Sequence, residues 1–139
     1  MRGIIPSLNT PFTQDGALDI PSLRKLVQHT VDSGCAGMLG LAVAGEYETL
    51  SYEEKRTFIE VVSNENNGKL PLIISVTSAN AESTLELSKL AKAHGATGIC
   101  IQIYGDTKLS DNIAFLKDLS QHSPKIIMVQ DLDWSGDGL

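Results

Sequence analysis

Short apolar, β-rich runs alternate along this chain with segments whose apolar positions recur at helical spacing. The runs are Gly3 to Leu8, Gly37 to Leu41, Leu72 to Val76, Gly98 to Ile103 and Lys125 to Val129, and each is predicted to be a strand. The intervening segments carry readable helix signals. A first helix is predicted from about Pro21 to Ser33, with Asp19 ahead of it and Gly34 as its stop. A second begins at Ser51, which forms a capping box with Glu54, and ends near Gly68. A third spans about Ala81 to His94 between Asn80 and Gly95, and a fourth spans about Asp111 to His122 after Ser110.

Strands that return after each helix and read as continuous apolar runs indicate a parallel sheet buried on both faces, so the fold class is α/β. Two architectures share this pattern: an open doubly wound sheet of about five strands, and a (β/α)8 barrel of roughly 250 residues. Length favours the first, since the chain has 139 residues. Against it, the segment after the fifth run, from Gln130 to Leu139, lacks the helix that should cover that strand, and the pattern reads as an interrupted architecture. A doubly wound binding domain would also want a phosphate-cradling or acidic loop after its first strand. The loop there is Asn9-Thr10-Pro11-Phe12, which is neither.

Composition narrows the partners. Hydrophobic residues make up 42% and charged residues 20%, ordinary values for a globular protein, with no apolar run near the roughly 20 residues of a membrane span. The opening Met1 to Pro6 is too short an apolar segment for a signal peptide, so a cytoplasmic location is expected. Eleven Lys and Arg scattered among 17 acids give a net charge of -6, which argues against a nucleic-acid surface. Cys35 and Cys100 lie far apart in apolar contexts without metal-ligand spacing, and His29, His94 and His122 fall near helix ends. Buried thiols, no metal and no cofactor are expected.

The stretch Leu39 to Lys55, LGLAVAGEYETLSYEEK, concentrates the candidate chemistry. If the strand ends at Leu41 and a helix is capped at Ser51, then Ala42 to Leu50 is a loop at the carboxyl end of the sheet, where parallel α/β proteins place their sites. Ala42, Ala44 and Gly45 let a ligand approach the backbone, and successive N–H groups there suit a carboxylate. Glu46 is expected to orient the loop by hydrogen bonding back to the main chain. The alternative is a tight turn with an exposed acid.

The wider context is more specific. Ile4 to Phe12 with its Thr-Pro-Phe, Asp15-Gly16-Ala17-Leu18-Asp19, Leu23 to Val27, Gly34-Cys35-Ala36-Gly37, Ala44-Gly45-Glu46, Leu50-Ser51-Tyr52-Glu53-Glu54-Lys55 and Gly95-Ala96-Thr97-Gly98 occur in that order and spacing. Together they resemble the dihydrodipicolinate synthase and N-acetylneuraminate lyase family. The resemblance implies a (β/α)8 barrel, of which this chain holds about five of eight units. It also implies a homo-oligomer that binds a small 2-keto acid, usually pyruvate, as a lysine Schiff base and makes or breaks a carbon–carbon bond.

Carried over residue by residue, the resemblance marks Val43, Ala44, Gly45 and Glu46 as substrate-binding, and it also marks departures. The family's two relay hydroxyls fall at Val43 and Ala44, which keep only their amides. Its fifth-strand tyrosine falls at Val129, and a substrate-binding arginine at Trp134. The fourth strand's Pro-Tyr-Tyr-type ending is replaced by Gln102-Ile103-Tyr104-Gly105-Asp106, so Tyr104 is either a displaced proton-transfer group or an aromatic at the mouth of the sheet. The Schiff-base lysine belongs to a sixth strand, beyond Leu139. Lys125 starts a strand at the wrong end, and Lys55, Lys89, Lys92 and Lys117 read as solvated helix positions. The expectation is a lyase or synthase whose complete protein acts on a keto acid. The alternative is a non-catalytic truncated paralogue that binds a carboxylate or serves as an oligomeric scaffold.

Overall fold

The computed structural model describes residues 2–103 and 108–130. Helix α1, Ile20–Asp32, starts where Asp19 accepts hydrogen bonds from the amide of Ser22 at 3.1 Å and from its hydroxyl at 2.6 Å. Its buried face is Leu23, Val27 and Thr30, at i, i+4 and i+7, the apolar stripe the sequence announces. Strand β1, Met38–Gly40, follows. Helix α2, Tyr52–Asn66, carries the predicted capping box: the Glu54 carboxylate accepts from the Ser51 amide at 2.8 Å, and the Ser51 hydroxyl accepts from the Glu54 amide at 3.3 Å. The Ser51 hydroxyl also donates to the Glu54 carboxylate at 2.6 Å, and this bond first, then the one from the Ser51 amide, holds the Glu54 carboxyl below the usual glutamate range. A box of this kind is worth about 1 kcal/mol to the helix. Glu54 contributes fully above the ordinary glutamate pKa, and its share is lost as pH falls through the lowered value.

Strand β2, Leu72–Ser75, helix α3, Ala81–Ala93, and strand β3, Gly98–Gln102, come next, with Asn80 capping α3 through the Ser83 amide at 2.9 Å. Helix α4 runs Leu109–His122, two residues ahead of its expected start and without a side-chain cap, and β4 is Ile126–Gln130. The four strands form one sheet in the order β1-β2-β3-β4, all parallel. This is the α/β class and the strand-helix alternation predicted from the pattern.

The first predicted strand, Gly3 to Leu8, is not a regular strand. It lies alongside β1 through a single bridge between Ser7 and Leu39, in which the Leu39 amide donates to the Pro6 carbonyl and the Leu8 amide to the Leu39 carbonyl. Proline supplies no N–H, so a ladder cannot propagate through Pro6, and the segment remains an edge strip of the sheet.

Register sorts the side chains of the sheet into two faces. Gly40, Ile74, Ile99 and Ile127 share one row, and Ile74 and Ile99 belong to the core under the helices. Ser75, Cys100 and Met128 share a row on the opposite, inner face. The helix-side core is centred on Phe58, fully buried with Leu23, Val27, Ile59, Val62, Ile74 and Leu87. Gly40 makes room for it: a Cβ there would sit 2.8 Å from Phe58 Cε1 and 3.1 Å from Ile74 Cδ1.

Candidate active site

The loop after β1 is built from the main chain. Leu41 turns the strand with φ 56°, Val43–Gly45 forms one 3₁₀ turn, Glu46 follows with φ 57°, and Tyr47–Thr49 forms a second 3₁₀ turn. The amide of Gly45 donates to the Ala42 carbonyl at 2.8 Å and that of Glu46 to the Val43 carbonyl at 3.0 Å. Those two N–H groups are therefore spent inside the turn. The amides of Val43 and Ala44 open the turn and have no acceptor among the described residues, since Ala42 offers no capping side chain. They are the two unused donors at the start of this 3₁₀ turn, at the carboxyl end of the sheet.

The loop's position is fixed from outside. Thr10 Oγ1 donates to the Gly45 carbonyl at 2.6 Å, tying the Thr-Pro-Phe segment to the Gly-Glu pair. Gly45 packs so closely that a Cβ would stand 2.8 Å from the Leu8 carbonyl oxygen. The orienting role expected of the Glu46 side chain falls elsewhere: that side chain is exposed and makes no hydrogen bond among the described residues, while the Glu46 carbonyl accepts from Thr49 Oγ1 at 2.8 Å. The reason is local, because an αL residue directs its side chain outward while a hydroxyl three positions on can reach its carbonyl.

Other strand ends converge on the same rim. The Tyr47 hydroxyl, on a residue 6% exposed, lies 3.1 Å from Glu48 Oε1 and 3.3 Å from Gln102 Oε1 at the end of β3, and the Gln102 amide donates to Thr77 Oγ1 at 3.0 Å beyond β2. Cys100 is buried beside Gln130, and burial pushes its thiol up to about 11, so it stays protonated and inert at neutral pH. Tyr104 and Trp134 lie outside the described residues. Val129 does not face the rim: it pairs with Ile101, a residue of the helix-side core, whereas Met128 shares the inner row with Ser75 and Cys100. The inward position on β4 is therefore Met128, one residue from the expected one, and it too lacks a hydroxyl.

Lys55 departs furthest from expectation. Instead of a solvated position it is 7% exposed, with Nζ 5.1 Å from the centroid of the Tyr47 ring. Burial holds its pKa below the ordinary lysine range, against the pull of the Glu48 carboxylate. It lines a cavity of about 400 Å³ with Tyr47, Glu48, Leu50, Tyr52, Thr77, Ser78 and Ser83. The sequence hides this because the walls come from three separate segments. Thr10, Tyr47, Thr77 and Gln102 were likewise not singled out, since each acts through a long-range bond.

Comparison with known proteins agrees with this geometry. The model of the dihydrodipicolinate synthetase family matches residues 1–132. The chain is 37% identical over 100 residues to the 4-hydroxy-tetrahydrodipicolinate synthase of Pelobacter propionicus, covering 72% of this chain and 34% of that protein. It is 40% identical over 100 residues to the enzyme of the same name from Thermus thermophilus, with 72% and 33% covered. Among solved structures, dihydrodipicolinate synthase from Aquifex aeolicus superposes with a TM-score of 0.88 at 25% identity over 96% of this chain and 46% of that one. YagE of E. coli, solved in complex with pyruvate, gives 0.88 at 28% identity over 95% and 45%. The N-acetylneuraminate lyase of Mycoplasma synoviae gives 0.85 at 28% over 94% and 46%. The chain thus spans about a third of the length of these curated relatives and somewhat under half of the solved ones. Its four parallel strands and alternating helices are part of a (β/α)8 barrel, and the chain belongs to the dihydrodipicolinate synthetase family.

Proposed function

We propose that the loop from Ala42 to Glu46 holds the carboxylate of a small 2-keto acid, pyruvate or a close relative, in a protein whose complete barrel performs Schiff-base aldol chemistry. The observation that carries this is the pair of unused amides of Val43 and Ala44 at the start of a 3₁₀ turn, at the sheet end where barrel enzymes bind substrate. Two N–H donors satisfy two carboxylate oxygens without any side chain, which explains how the site tolerates valine and alanine where hydroxyls are expected. Gly45 and Glu46 serve by turning the chain: their amides close the turn that presents the other two. The binding of pyruvate by YagE, a structural relative, supports the choice of ligand class.

Borohydride reduction of the complete gene product in the presence of pyruvate should trap an adduct on a lysine beyond residue 139. Absence of any adduct with pyruvate and with longer 2-keto acids would overturn the covalent part of this reading.

A second reading, self-association of the chain as a scaffold, rests on one observation. Ile126, Met128 and Val129 of β4, an edge strand among the described residues, are 40%, 39% and 41% exposed. A bare apolar edge favours pairing with a second copy. Gel filtration of the 139-residue chain should give a dimer or larger; a compact monomer at micromolar concentration contradicts this reading.

A further inference from the structure

Helix α2 ends on the sequence Asn66-Asn67-Gly68-Lys69, and its two asparagines stand in opposite surroundings. Asn66 is buried, with its side-chain amide held at both ends: Nδ2 donates to the Leu70 carbonyl at 2.8 Å, and Oδ1 accepts from the Leu70 amide at 3.1 Å. Asn67 is exposed, and its side chain makes no hydrogen bond among the described residues. Its backbone leaves the helix in the left-handed region, φ 44° and ψ 41°, which asparagine adopts more readily than most residues with a side chain. Gly68 follows, also left-handed at φ 71° and exposed, and a Cβ there would meet nothing within 4 Å. Its amide donates no hydrogen bond among the described residues. No other asparagine of the chain precedes a glycine. An amide nitrogen with an unengaged proton, no side chain to block its approach, and an unheld carboxamide carbon within reach of a five-membered ring are what intramolecular ring closure needs.

We propose that Asn67-Gly68 is a self-modification site, at which the asparagine converts to aspartate and isoaspartate with water as the co-reactant. The Gly68 nitrogen gives up its proton to solvent base and attacks Asn67 Cγ. The new C–N bond closes a five-membered imide as the Cγ–Nδ2 bond breaks, and Nδ2 takes up a proton and leaves as ammonia. Water then adds to one of the two ring carbonyls, and the C–N bond at that carbon breaks. Opening at Cγ gives aspartate; opening at the main-chain carbonyl gives isoaspartate, with the chain routed through Cβ and Cγ. One ammonia leaves, one water enters, and nothing is oxidised or reduced. Attack requires the Asn67 ψ to turn away from 41°. The bond from the Lys69 amide to the Asn66 carbonyl, at 2.9 Å, resists that turn, but it lies at an exposed helix end, where local opening costs little. Either product places a carboxylate at the C-terminal end of α2, where the helix dipole disfavours negative charge. Isoaspartate also lengthens the main chain between Asn66 and Leu70, the pair that ties the end of α2 to the approach to β2.

The test incubates the folded 139-residue chain at mildly alkaline pH and physiological temperature, then digests it and follows each asparagine peptide by mass and by chromatographic separation of the isoaspartyl form. The peptide holding Asn67 should gain the mass difference between an amide and a carboxylic acid several-fold faster than those holding Asn9, Asn80 and Asn112. Fragmentation should place the change at residue 67 and not at Asn64 or Asn66, and the product should include the isoaspartyl form. Asn67→Gly substitutes a residue that adopts the left-handed backbone freely, so the fold is kept and the conversion in that peptide should vanish. Conversion at Asn67 no faster than at the other asparagines, a change that maps to Asn64 or Asn66, or persistence of the conversion in Asn67→Gly overturns the proposal. Pyruvate binding at the Ala42 to Glu46 loop can fail without touching this outcome, and the converse holds.

Discussion

Phe58→Ala should lower the unfolding free energy by about 3–5 kcal/mol, the usual range for removing a fully buried aromatic ring. Phe58 is 0% exposed and stands where α2 meets the sheet, over Gly40 and beside Ile74. Removing the ring forfeits its transfer free energy and opens a cavity that the surrounding strands, held in register, cannot collapse to fill. A small domain is stable by only about 5–15 kcal/mol, so the loss takes a large share of the total. Urea denaturation followed by far-UV circular dichroism measures it, with Phe58→Leu as the milder companion, at under about 1.5 kcal/mol for a swap that keeps most of the volume. A change below about 1 kcal/mol in Phe58→Ala would show that the helix-side core is not organised around this ring.

Gly45→Ala should raise the dissociation constant for pyruvate by about tenfold or more, equivalent to roughly 1.4 kcal/mol. The added Cβ would lie 2.8 Å from the Leu8 carbonyl oxygen, a backbone atom that cannot swing aside as a side chain would. The 3₁₀ turn must therefore move, stretching the bond from Thr10 Oγ1 to the Gly45 carbonyl and carrying the amides of Val43 and Ala44 with it. Overpacking of this kind costs about 1–3 kcal/mol of stability, so the variant should remain folded at room temperature. Unchanged affinity in a folded Gly45→Ala chain would mean that the loop's fit against the first segment does not set the geometry of the binding amides.

The parts legible in the sequence are those decided within a few residues. Asp19, Ser51 with Glu54, and Asn80 name their helix starts because a cap is a contact across three positions. The strand-helix alternation is legible for the same reason, since periodicity is local. The parts that were not legible depend on distant partners or on single-residue register. Gly3 to Leu8 has strand-like composition, yet Pro6 interrupts the ladder with β1. A one-residue slip moves a strand position to the other face, and Val129, expected from the resemblance, differs from Met128 of the inner row by one such step. Lys55 sits in a run of charged residues, and its burial follows from Tyr47 and from the segment after β2, 22 and more residues away.

The candidate loop shows the same division. Its place at the end of β1 and the helix restart at Ser51 follow from the stretch itself. Which of its amides remain unpaired does not, because a 3₁₀ turn spends those of Gly45 and Glu46 and leaves those of Val43 and Ala44.

The most direct measurement is an amide NMR titration of the isotope-labelled chain with pyruvate. Carboxylate binding by the main chain predicts saturable shifts largest at the Val43 and Ala44 amides, with smaller ones at Thr10 and Thr49, and predicts that acetate shifts the same amides more weakly. Saturable shifts that avoid residues 42 to 46, or no shift at pyruvate concentrations well above the millimolar range, would contradict it.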